Sequence, residues 1–211
     1  MTENLVVAAI DVGSVRNIGW WRITGSNAGG GRDLDELVDL LVADLNAGRQ
    51  VALGIEAPVY VPAPVATSGL GRARVGEGNR AWCASAGTSA LGFGVQETNY
   101  VLRAIARHSG RPVRGGIDVD GFLAGALDLL VWEALVTAGA KDRLAPEPHI
   151  ADARVAAEEF ATRVATGRVE SDLEGGEVFN LAAAAIIAVG MSTETSMLRA
   201  PCVVVRPPAL A

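Results

Sequence analysis

Two apolar segments, "LVVAAI" (Leu5–Ile10) and "IGWWRIT" (Ile18–Thr24), are separated only by the short stretch 11–17. A connection that short joins antiparallel strands, because a parallel crossover needs a dozen residues or more. The turn is expected at Gly13–Asn17. After the flexible "GSNAGGG", Asp33 caps a helix in which Leu34, Leu37, Val38, Leu41, Val42 and Leu45 recur at helical spacing, ending at Gly48. "QVALGIEAPVYVP" then reads as another strand, apolar on both faces. Strand–helix–strand of this kind makes a parallel pair. The chain is therefore expected to build an α/β fold on a mixed sheet, antiparallel at its start and parallel thereafter, flanked by helices.

The rest of the chain fits that scheme. Residues 62–90 form a long Gly- and Arg-rich loop; 91–108 look helical, "DVDGFLAGAL" a further helix or turn, and "LLVWEALVT" (129–137) a buried strand. His149–Val164 and Gly176–Gly190 read as helices, and "PCVVVRP" as a short closing strand. Half of the 211 residues are apolar, which suits one well-filled domain over 1–211. No apolar run approaches the ~20 residues of a membrane span, and "MTENLVV" lacks the basic region of a secretion signal. Cys83 and Cys202 have no metal-like spacing; reduced thiols and a cytoplasmic location are expected. The net charge of −6 argues against a protein that coats nucleic acid non-specifically, though it permits a local basic patch.

Each of the three best core strands carries one acid: Asp11, Glu56 and Glu133. An unpaired carboxylate buried in a core costs several kcal/mol, so each needs a partner. Asp11 and Glu56 both follow their apolar runs, at the carboxyl ends of strands expected to be parallel neighbours. That edge is where α/β folds bind ligands. Two carboxylates brought together repel unless a cation or shared proton relieves them, and hard cations such as Mg²⁺ or Mn²⁺ take oxygen ligands. The plainer alternatives are an Asx turn for Asp11, a rim position for Glu56, and a structural pairing with an arginine for Glu133.

"AAIDVGSVRNIGWWRI" resembles the first strand of RNase H-like nucleases, particularly the RuvC-type resolvase branch, and "VALGIEAPVYVP" resembles the strand that bears their second acid. The order of "GIEAP", an Arg-rich loop, "VWEALVT", "HIADARVAAEEF" and "NLAAAAIIA" is also similar to a family of predicted RNase H-like nucleases. The resemblance implies two divalent metals held by acids from two strands and a late helix. In the resolvase branch two acids three residues apart open that helix; here Glu177 and Asn180 have the spacing, with an amide in the second place. Glu174 and Glu177 equally suit the positive end of a helix dipole.

These readings make Asp11, Glu56 and Glu177 the candidate catalytic residues of a two-metal phosphodiester hydrolase. Glu133 and Asn180 are further candidate ligands. Ser14 of the first turn, Arg72, Arg74, Arg80 and Trp82 are the candidate substrate contacts, with Glu77 alone opposing the arginines and seven glycines between Gly69 and Gly94 allowing close approach. Lys141 and Arg143 form a second basic pair, while His108 and His149 read as isolated surface or cap residues. Nucleic acid is the expected partner, no membrane is implied, and a homo-oligomer is compatible with the chain. Two alternatives stand beside the nuclease. One is a non-catalytic binding or assembly domain on the same scaffold, favoured by the acidic charge and Asn180. The other is an actin-like ATPase, for which "GGIDVDG" (115–121) offers a partial second phosphate loop.

Overall fold

The computed structural model describes residues 4–78, 81–142 and 144–209. Its centre is a seven-stranded mixed sheet. β1 (Leu5–Asp11) and β2 (Gly19–Thr24) form the expected hairpin, and β3 (Asn27–Gly31) extends it antiparallel. After α1 (Leu34–Asn46), β4 (Gln50–Ile55) returns parallel to β1. The strand expected over "QVALGIEAPVYVP" is two strands: the chain bends at Glu56–Ala57, and β5 (Tyr60–Pro62) leaves the main sheet.

α2 (Ala86–His108) begins five residues before the expected start. β6 (Gly115–Gly116), α3 (Val119–Leu123) and β7 (Leu129–Ala134) follow, then α4 (Pro148–Thr166). Residues 176–190 are not one helix: β8 (Val178–Asn180) pairs with β5, and α5 starts only at Leu181 and runs to Ala188. β9 (Val204–Val205) closes the chain. The order across the sheet is β3-β2-β1-β4-β7-β6, with β9 also parallel to β7. No helix among the described residues is long and apolar enough to cross a membrane.

β1 is buried throughout because both of its faces are covered. Val6, Ala8 and Ile10 face a core shared with α1, α2 and α5, while Leu5, Val7 and Ala9 face α4. α4 is located by two close approaches. A Cβ at Gly19 would lie 2.4 Å from the backbone carbon of His149, so only glycine lets the start of α4 rest on β2. A Cβ at Gly54 would lie 2.3 Å from the Trp132 ring, and Trp132 stacks on Phe160 of α4 with centroids 4.4 Å apart. The glycine of the opening hairpin thus sets where the first turn of α4 sits.

Gly19→Ala should lift that turn and lower stability by about 2 kcal/mol, the usual cost of overpacking a well-filled site. Chemical denaturation measures it, and an unchanged midpoint would show that the contact is slack.

Candidate metal centre

The parallel register Ile10↔Ile55 carries Asp11 and the next residue, Glu56, to the same edge of the sheet. The ladder continues through this point, for the Glu56 amide donates to the Ile10 carbonyl at 2.8 Å. Above them lies the first turn of α4, with His149 and Asp152 three residues apart on one helix face. One oxygen each from Asp11, Glu56 and Asp152 lie within 4.8 Å of one another. His149 Nδ1 is 2.5 Å from Asp11 Oδ2.

Lys141, from the connection between β7 and α4, enters the cluster. Its Nζ donates to Glu56 Oε1 at 2.9 Å and also to Asp152 Oδ2. Glu56 Oε2 is buried and has no hydrogen-bond partner among the described residues.

Asp11, Glu56, Lys141 and His149 line a cavity of about 610 Å³, together with Arg74, Glu77 and Glu133. Gly13, Ser14 and Asn17 of the first turn line it, as do Ala86, Gly87, Ala90 and Phe93 from the start of α2. Burial pushes the Asp11 carboxyl up to about 7 against the pull of Lys141. Burial and the neighbouring Asp11 raise Glu56 well above the usual carboxylate range. Burial alone would depress the Lys141 ammonium, but the attraction of Glu56 and the hydrogen bond to Asp152 outweigh it and raise it. A fourth acid, Glu97 of α2, accepts from the Gly13 amide at 3.1 Å and so anchors the turn after Asp11. Burial raises Glu97 to about 7, with the Gly13 N–H opposing.

The donors suit a hard divalent cation: all three carboxylates offer oxygen, and Glu56 Oε2 lacks a donor.

The structure brings Asp11 and Glu56 together as expected, and places Ser14 on the cavity wall. The other expected ligands are elsewhere engaged. Glu133 is a structural ion pair: both its oxygens accept from Arg74, at 2.7 and 2.6 Å, and one also accepts from the Val59 amide. Arg74 lines the same cavity, but its guanidinium is committed to Glu133 and Glu77, so it is not the exposed loop contact expected. It is buried, bonded also to Glu77, and lies 4.7 Å above the Tyr60 ring. Asn180 caps α5, accepting from the Ala183 amide and donating to the Ala200 carbonyl.

Glu177 is exposed, precedes β8 and does not line the cavity; its carbonyl accepts from Ala63. Glu177 and Asn180 cannot share a helix face because both lie before the helix begins. Trp82 is half-buried, with its indole nitrogen donating to the Arg72 carbonyl, and Arg72 is exposed. Arg80 and Arg143 lie outside the described residues. Asp118 of "GGIDVDG" caps α3 and lines a different cavity, so the two Asp-Gly stretches share no site.

Asp152, Lys141, His149 and Glu97 complete the centre. The signal for two of them was local: "PHIAD" places His149 and Asp152 at the spacing sought at Glu177 and Asn180, at the start of a helix. Compared with family models, curated proteins and solved structures, the chain matches none of them.

Arg74→Leu should destabilise the protein by about 3–5 kcal/mol, because Glu133 is then buried without its cation. Equilibrium unfolding tests this, and a loss below about 1 kcal/mol would make the pair dispensable. Glu97 carries a pH dependence of defined sign. Its folded-state value is raised, so its contribution to stability is full below about 4.5 and is lost as pH rises through about 7. Glu97→Gln should therefore recover on the order of 2 kcal/mol at pH 8 and nothing at pH 4. Parallel wild-type and variant stability curves across that interval would contradict the assignment.

Proposed function

We propose that this protein is a metal-dependent phosphodiesterase acting on nucleic acid, with Mg²⁺ or Mn²⁺ held by Asp11, Glu56 and Asp152. The observation that carries the reading is the convergence of three carboxylates from β1, the end of β4 and α4, two of which, Asp11 and Glu56, line the cavity. The resemblance of "AAIDVGSVRNIGWWRI" and "VALGIEAPVYVP" to RNase H-like nucleases supports the same class. An ion held there supplies Lewis acidity toward a phosphate oxygen and promotes attack by water.

The chain's own groups do the rest. His149, with Nδ1 at Asp11, lines the cavity and is held against the metal-ligating carboxylate. The Gly13–Asn17 turn and the start of α2 narrow the cavity, and Phe93 presents an aromatic wall suited to a base or sugar. With a net charge of −6, contact with a polyanion is confined to the cavity and its rim. Arg72 on the exposed loop is the remaining described arginine of the expected contact set.

Asp11→Asn and Asp152→Asn should each lower Mn²⁺-dependent cleavage of labelled DNA or RNA by about 100-fold or more, since even outer partners of metal ligands are worth about 10–100-fold. Their melting temperatures should hold or rise, because each removes one of several mutually repelling carboxylates. Absence of any Mn²⁺-dependent cleavage by the wild type, or unfolding of Asp11→Asn, overturns the reading.

A further inference from the structure

Lys141 stands where a cation is needed most. Its ammonium bridges Glu56 Oε1 and Asp152 Oδ2, the two carboxylates contributed by different layers of the fold. It is held there from behind: the preceding residue, Ala140, is 1% exposed and packs with Val136 in the core beneath α4. The Ala140 amide donates to the Thr137 carbonyl, so the turn that delivers the lysine is closed on itself. Lys141 also lines the cavity, with a quarter of its side chain exposed there.

We propose that Lys141 is a built-in second cation, so that the centre takes one divalent ion and not two. The inference rests on the metal-binding reading above and narrows it. With Lys141 in place and His149 Nδ1 at Asp11 Oδ2, the oxygens left for an ion are Asp11 Oδ1, the unpartnered Glu56 Oε2 and the remaining oxygen of Asp152. Charge favours the smaller number, since a second divalent ion would add two more positive charges beside the ammonium that already stands in a largely buried cluster. An ammonium has three donors; two are committed to the carboxylates, and the third is left for a phosphate oxygen in the cavity. Lys141 thereby fills at one corner the role that a second ion has in two-metal sites, where the pair clamps both sides of the displacement.

The test is the number of Mn²⁺ ions bound per chain, read by isothermal titration calorimetry and by electron paramagnetic resonance, with no nucleic acid present. Wild type should bind one ion with a mononuclear spectrum. Lys141→Met should bind two with the signature of a spin-coupled pair, and should gain more melting temperature from Mn²⁺ than wild type does. Lys141→Arg, which keeps the charge, should bind one, and it decides the matter if Lys141→Met does not fold. Two ions in wild type or in Lys141→Arg overturn the inference while the metal-binding reading stands. Equal numbers in wild type and Lys141→Met, or an ion bound by Lys141→Met alone, also overturn it. No ion in any of the three proteins overturns both.

Discussion

Asp11 and Glu56 are side by side because β1 and β4 are parallel and in register to their last residues. That pairing is held by continuous backbone hydrogen bonds and by apolar side chains on both faces of β1. It forces two carboxylates into one partly dehydrated corner, where each would raise the proton affinity of the other. Everything else at the centre answers that repulsion. Lys141 brings a positive charge, and α4 brings His149 to Asp11. Asp152 adds a third carboxylate, which gives the corner an excess of negative charge and the donor set of a cation site.

The same sheet solves the same problem in a second way at the next strand. Glu133 lies in register with Ile55, one strand further along, and is as deeply buried as any residue near the centre. There the guanidinium of Arg74 satisfies both oxygens in a bidentate pair. Planar, delocalised and shared with Glu77, that arginine also rests against Tyr60. The pair is closed and ties the long loop to the core. Both groups line the same cavity, but at Asp11 and Glu56 the cation is a point charge on a flexible stem and one carboxylate oxygen lacks a donor. The contrast separates a structural ion pair from a site with capacity left for a ligand.

Several features were legible because they depend on local pattern. The hairpin follows from the length of the stretch between two apolar runs, and α1 from its periodicity and the Asp33 cap. The placement of Asp11 and Glu56 follows from where their apolar runs end. Other features were misplaced for physical reasons that short-range pattern does not carry. The alanine-rich "NLAAAAIIA" looks like the start of a functional helix, yet its asparagine is used as a cap, the role that this residue type most often has there. Arg74 sits in a glycine-rich stretch that reads as solvated, and only its long-range partner Glu133 draws it inside.

From the sequence alone came a mixed α/β sheet and two carboxylates at one strand edge, since both depend on segment length, apolar runs and the order of helix and strand. Which third acid joins them was decided only in three dimensions. Asp152 reaches the site because Gly19 lets α4 rest on β2 and because Trp132, fitted over Gly54, stacks on Phe160. Which cation neutralises which acid was likewise a tertiary matter. Lys141 is 85 residues from Glu56 along the chain and Arg74 is 59 from Glu133, so neither pairing leaves a local trace. Charge pairing across a folded core is set by packing distance, and sequence separation says nothing of it.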